Sequence, residues 1–267
     1  MEIFYFCDMN RKAVTDHIVK WLKDYSDQSK TEGFVIGISG GIDSAVTSTL
    51  CAMTGKRVIV LNLPIMQHQN EFYRSVEHIE WLQKNFKNVE TQFVELTDIF
   101  KGFEKDLPVF IQDHLTMANV RSRVRMITLY AFATHHKLLV AGTGNKVEDF
   151  GIGFFTKYGD GGVDLSPIAD LTKTEVYGLA AELNVVQSIL SARPTDGLYA
   201  DDRTDEDQIG ATYPELEWAM NFVEKNESYP LNERQKMVMD IYKKRNAENK
   251  HKMEPIPVCI IPKELKN

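Results

Sequence analysis

One stretch constrains the fold more than any other: FVIGISGGIDS, residues 34–44. Phe34, Val35, Ile36 and Ile38 make an apolar run short enough for a buried strand. The run enters a glycine turn, and a helix pattern follows over residues 43–53. Gly40 and Gly41 carry no Cβ, so backbone N–H groups there can approach an anion closely. The helix adds its unpaired N-terminal N–H groups and the positive end of its dipole, and Ser39 and Ser44 add hydroxyls. A plain strand-to-helix turn with an Asp/Ser cap is the simpler reading of these residues, but together they suit phosphate. A Walker loop needs Lys beside Ser/Thr, and the nearest downstream lysine is Lys56.

The rest of the chain alternates in period. Residues 10–25 carry Val14, Ile18, Trp21, Leu22 and Tyr25 at helical spacing. Strands are expected at 57–64, 90–96 and 137–142, and helices at 69–86, 97–103 (capped by Thr97) and 119–136. Such alternation argues for parallel β/α units. The fold class is therefore α/β: a doubly wound, mainly parallel sheet with helices on both faces. Ligands in such sheets sit beyond the carboxyl ends of the strands, where Gly40 and Thr143 fall. Residues 150–167, rich in glycine, read as a long irregular loop of the functional kind. Thr172 and Glu175 have capping-box spacing for a helix to 184. Residues 192–208 are acidic and read as a mobile lid; further helices are expected at 213–223 and 232–249. The tail from His251 to Pro262 reads as extended. The chain is expected to form one domain, with a helical segment at 1–33, a nucleotide-binding core at 34–190, and lid, helices and tail at 191–267.

A net charge of −7 offers no nucleic-acid surface. Cys7, Cys51 and Cys259 are scattered, which excludes a CxxC zinc site and a disulfide framework and fits a reducing compartment. Neither a signal peptide nor a membrane span is evident. A cytoplasmic protein is expected.

The chemistry concentrates in a few residues. Asp43 would repel phosphate unless a cation bridges them, as Mg²⁺ does with one or two carboxylates and phosphate oxygens; otherwise it is a helix N-terminal acid favoured by the dipole. Glu148, beyond a second strand end, is either a second metal carboxylate or a solvated helix residue. Thr143, between Gly142 and Gly144, can bond a nucleotide. Arg121 and Arg125 share a helix face and Arg123 points nearly opposite, so the three cannot serve one pocket. Lys157 and Asp164 flank YGDGG, where a lysine can pair with an anion and an aspartate can accept from a hydroxyl. Lys173 at a helix start opposes the dipole unless an anion binds there.

SGGIDS resembles the PP-loop of the N-type ATP pyrophosphatases. With NVRSRVRM, GTGNKVED, GFFTKYGDGGVDLSP, LTKTEV, RPT and HK, in that order, the chain resembles the NAD synthetases over residues 34–252. The resemblance implies ATP-dependent amidation of deamido-NAD to NAD through an NAD-adenylate, releasing AMP and pyrophosphate, with ammonia as nitrogen donor. It implies that Gly37, Ile38, Ser39, Gly40, Gly41, Ile42, Asp43 and Ser44 hold ATP phosphates, that Thr143, Lys173 and Thr195 contact ATP, and that Asp43 and Glu148 bind Mg²⁺. Asp43 and Lys173 would be catalytic. Arg123, Lys157, Asp164, His251 and Lys252 would contact deamido-NAD, and the chain would be a homodimer. Many bacterial members have GTDHAAE where this chain has GTGNKVE; Gly144, Asn145 and Lys146 are closer to the archaeal or glutamine-dependent branch. The segment after Pro194, TDGLYADDRTDE, also differs. With 33 residues before Phe34, no glutaminase domain is expected; ammonia would be free or come from a separate partner. The rivals are another PP-loop enzyme (GMP-synthetase-like amidation or tRNA thiolation) and a non-catalytic nucleotide-binding regulator. Scattered cysteines and net negative charge disfavour the thiolase.

Overall fold

The computed structural model describes residues 9–67, 69–195 and 204–266. Four parallel strands run in the order β3-β2-β1-β4: β1 (Gly33–Gly37), β2 (Arg57–Asn62), β3 (Val89–Phe93) and β4 (Leu138–Val140). Val35 lies opposite Ile59 on one side and Val140 on the other. Both faces of the sheet are buried, as its continuous apolar runs require. Phe34, Ile36, Val58 and Val60 face one layer; Val35, Ile59, Leu61 and Val140 face the other.

The first layer contains α1 (Arg11–Gln28), α2 (Ile42–Met53), α3 (Gln69–Asn85) and α6 (Lys173–Glu182). Its Leu22, Leu50 and Leu82 are fully buried, each stabilising by about 1.5–3 kcal/mol relative to exposure. The second layer contains α4 (Thr97–Asp106) and α5 (His114–His136), which contribute Phe100, Met117, Val124 and Ala133. The chain moves outward from β1 to β3 and then crosses to the far side of β1 for β4. That reversal between β1 and β4 is the switch point where open α/β sheets bind ligands. A third apolar cluster joins a π-helical turn (Val147–Ile152) to α9 (Tyr213–Glu224) and α10 (Glu233–Met253). Two short helices, α7 (Gln187–Leu190) and α8 (Asp205–Ile209), and two 3-10 turns, Val109–Ile111 and Lys263–Leu265, complete the described structure.

Several local expectations need correction. Helix α5 starts at His114, with Asp113 accepting from the Thr116 N–H at 3.0 Å; residues 114–118 join it because Met117 and Ala118 are buried. Thr97 is inside α4 rather than its cap, and its hydroxyl accepts from the Met66 N–H. Strand β3 ends at Phe93. The start of the expected loop, residues 150–152, is instead the end of a helical turn, Val147–Ile152. Helix α10 continues to Met253, so His251 and Lys252 are helical and not part of an extended tail. The Thr172–Glu175 capping box is formed as read. Of the acidic segment, residues 196–203 lie outside the described residues, as does Cys7; Asp205–Ile209 form α8. Cys51 and Cys259 are free thiols. No helix among the described residues is long and apolar enough to cross a membrane.

Candidate functional site

The phosphate turn is built largely from its own donors. Ser39 Oγ and Ser44 Oγ are 3.0 Å apart, and Ser39 Oγ accepts from the Gly41 N–H at 3.1 Å. Gly40 has φ +83°, and a Cβ there would lie 2.4 Å from the Glu71 carbonyl oxygen. Glycine is thus required both by the left-handed backbone and by the closeness of α3. Gly41 precedes α2 without a side-chain cap, leaving the first turn of that helix open to an anion. Ile38 and Ile42 are core residues that offer only backbone here.

Behind the turn lies a buried charge cluster assembled from three segments. Lys173 Nζ donates to Asp43 Oδ2 at 2.6 Å and to Glu148 Oε1 at 2.9 Å. The side chains of Lys173, Asp43 and Glu148 are 5%, 17% and 16% exposed. Asn145, fully buried, donates to Asp43 at 3.4 Å and accepts from the Glu148 N–H at 3.1 Å. Tyr213 donates to Glu148 at 2.5 Å. Burial and the nearby Glu148 carboxylate raise Asp43 above the usual carboxylate range, more than Lys173 lowers it. At Glu148, burial also pushes upward, but Lys173 and the hydrogen bond from Tyr213 win and lower it. Burial disfavours the Lys173 charge, yet the two carboxylates overcome it and hold the ammonium protonated. Lys173 therefore sits at a helix start for a reason the dipole alone does not explain: it faces two carboxylates across the switch point.

A cavity of about 530 Å³ opens over this cluster. Of the residues singled out in the sequence, Gly37 through Ser44, Thr143, Glu148, Lys173, Thr195 and Lys252 line it. Lys252 Nζ donates to the Gly153 and Phe155 carbonyls, each at 3.0 Å. Four expected residues are not brought to the cavity. Arg123 is exposed and donates to the Lys157 carbonyl at 3.2 Å; Lys157 Nζ donates to the His251 carbonyl at 2.5 Å. These three tie α5, the glycine-rich segment and α10 together outside the cavity. Asp164 accepts from Tyr130 at 3.0 Å and from the Val140 N–H at 2.8 Å, fastening the edge of β4.

Other residues were missed. Arg125, not Arg123, is the arginine of α5 that lines the cavity; its Nε donates to the Leu63 carbonyl at 3.0 Å. Burial, with Arg121 nearby, pushes Arg125 down to about 10. The helical stripe put Arg121 and Arg125 on one face but could not say which face was inward. Asp149 also lines the cavity, with burial and the neighbouring carboxylates Glu148, Asp160 and Asp43 pushing it up to about 8. A Cβ on Gly144 would lie 1.9 Å from Asp149 Oδ2, so glycine at 144 makes room for that carboxyl. Arg74 and Tyr213 had no motif to mark them.

The NAD synthase family profile matches residues 14–255. The NH(3)-dependent NAD(+) synthetase of Mycoplasma genitalium is 38% identical over 234 residues, covering 86% of this chain and 89% of that protein. Among solved structures, NMN synthetase from Francisella tularensis has a TM-score of 0.81 at 30% identity, covering 96% of this chain and 99% of that one. The NH3-dependent NAD synthetase from Campylobacter jejuni has a TM-score of 0.77 at 25% identity, covering 94% and 100%. On these matches, which extend over nearly the whole length of both partners, the chain belongs to the NAD synthase family.

Proposed function

We propose that the chain amidates the nicotinate carboxylate of deamido-NAD, using ATP and ammonia, and forms NAD, AMP and pyrophosphate. The observation that carries this reading is the Asp43–Lys173–Glu148 cluster, set behind a lysine-free glycine turn at the sheet's switch point. A carboxylate is a poor acyl donor because its leaving group would be oxide. Attack by the carboxylate oxygen on the α phosphorus of ATP expels pyrophosphate and makes AMP the leaving group. Ammonia then adds to the acyl carbon, loses a proton, and expels AMP. The protein's work is positioning and charge neutralisation. The glycine turn and the start of α2 present N–H groups to the phosphates. Lys173, held protonated and rigid, supplies positive charge beside them.

The same cluster fits Mg²⁺. Lys173 Nζ is a cation already seated between two carboxylates from different segments, as a divalent ion would be. Asp43 and Glu148 would hold the metal, which would neutralise phosphate charge.

A homodimer accommodates the residues left outside the cavity. Arg123, Lys157, Asp164 and His251 would serve a dinucleotide that extends beyond the cavity rim toward a subunit boundary. Cys51 and Cys259, free thiols among the described residues, are compatible with the reducing cytoplasm, where we place the activity.

The test supplies ATP, Mg²⁺, deamido-NAD and ammonium to the purified protein. NAD and AMP in equal yield are expected; ADP and orthophosphate would overturn the reading. A second reading keeps the chemistry and changes the carboxylate donor to nicotinate mononucleotide. It is favoured by the likeness to NMN synthetase. Parallel assays with the two donors separate them by kcat/KM.

A further inference from the structure

The phosphate turn lacks the lysine with which a Walker loop holds the outer phosphates of ATP, and of the five other cations that line the cavity among the described residues all but Arg193 are committed to protein partners. Lys173 is bound by two carboxylates. Arg125 Nε is bound to the Leu63 carbonyl, and Lys252 to the Gly153 and Phe155 carbonyls. Arg245 Nη2 donates to the Gln208 carbonyl at 2.9 Å.

Arg74 is placed differently. It lies on α3, whose residues 71–75 are pressed against the turn: a Cβ at Gly40 would lie 2.4 Å from the Glu71 carbonyl and 3.2 Å from the Ser75 nitrogen. Arg74 Nε donates to the Gly40 carbonyl at 3.1 Å, and the side chain lines the cavity. Tethering through Nε fixes the guanidinium plane against the turn and leaves the Nη1–Nη2 edge, which makes no hydrogen bond to the described residues. That planar edge matches two phosphate oxygens. Gln67 braces the same region, donating to the Ser39 carbonyl at 3.2 Å and to Glu71 at 3.3 Å.

Resting on the proposed adenylation, we propose that Arg74 binds the β and γ phosphates of ATP and holds the departing pyrophosphate. As the carboxylate oxygen bonds to the α phosphorus, the bond from that phosphorus to the bridging oxygen breaks. The electron pair leaves with pyrophosphate, and the guanidinium faces the added negative charge. Arg74 thus takes the place of the absent loop lysine, from a neighbouring helix.

The experiment measures binding of ATP, inorganic pyrophosphate and AMP, each with Mg²⁺, to the wild-type protein and to Arg74→Ala and Arg74→Met. Circular dichroism verifies folding, and Arg74→Met keeps an apolar stem should Arg74→Ala fail to fold. The expected result is a roughly 10- to 100-fold loss for ATP and pyrophosphate, as for a charge-assisted hydrogen-bonded pair, with AMP affinity within about twofold of wild type. Arg74→Lys should recover part of the loss. Unchanged pyrophosphate affinity in the variants would overturn the proposal. So would an equal loss for AMP, because Arg74 would then be propping the turn. A wild-type protein that binds no ATP would instead sink the adenylation reading itself.

Discussion

Two sets of charges surround the cavity, and they differ in what holds them. Lys173 is buried, Asp43 and Glu148 are mostly so, and each satisfies another. Arg123, Lys157 and His251 lie outside the cavity and are joined through backbone carbonyls on an exposed surface. In the interior, removing one partner leaves an unpaired charge in low dielectric. At the surface, water and salt replace whatever is removed. Burial therefore decides which of the sequence's charged residues are obligatory and which only adjust affinity.

The largest effect should come from Lys173→Met. It strands two buried carboxylates and should cost about 3–5 kcal/mol of stability, read by urea denaturation, and turnover should fall roughly 10²- to 10³-fold or more. The same variant should bind Mn²⁺ without nucleotide, followed by electron paramagnetic resonance, because the ammonium no longer fills the space between Asp43 and Glu148. Wild-type stability in this variant would erase the contrast between the two charge sets.

Asp43→Asn comes next. Lys173 keeps Glu148, and Asn145 keeps a hydrogen-bonding neighbour, so the fold should survive while turnover falls by roughly 10²-fold or more. Near-normal turnover at saturating Mg²⁺ would remove Asp43 from the mechanism.

A third test concerns a buried group away from the cavity. His78 is fully buried, stacked on Trp81 and 3.0 Å from Ser48 Oγ. Burial pushes it down to about 4 from its ordinary 6.5. Between those values the unfolded chain takes up a proton that the native state refuses, so stability falls as pH drops from about 6.5 toward 4. The contribution reaches about 3 kcal/mol at the acid end. His78→Gln should flatten the fall in melting temperature over that window; an identical slope would refute the assignment.

The smallest effect belongs to Lys157→Ala. Stability should change by less than about 1 kcal/mol, with KM for the dinucleotide rising and KM for ATP unchanged. A large stability loss would mean that the exposed set is structural after all.

What was legible in the sequence follows the same division. The sheet could be read because Phe34–Ile36 and Arg57–Asn62 carry continuous apolar runs between glycine turns, and both faces needed cover. The phosphate turn could be read because close backbone approach demands particular residues at particular positions. Lys173 was visible as a misfit at a helix start, but its partners lie far away in sequence and no local pattern pairs them. Arg74 and Arg125 were hidden because helical periodicity gives faces without telling which is inward. The end of the π-helical turn at 147–152 was hidden by Gly151, which read as part of the loop from Phe150 until Val147 and Ile152 were seen buried against α9 and α10.

The spacing of the cluster has a further consequence. Lys173 is 130 residues from Asp43 and 25 from Glu148 in sequence. Contacts of that separation require large loops to close before they form. The cluster is therefore among the late contacts to close. The centre is complete only once α6, which follows β4, packs back and brings Lys173 onto Asp43 and Glu148.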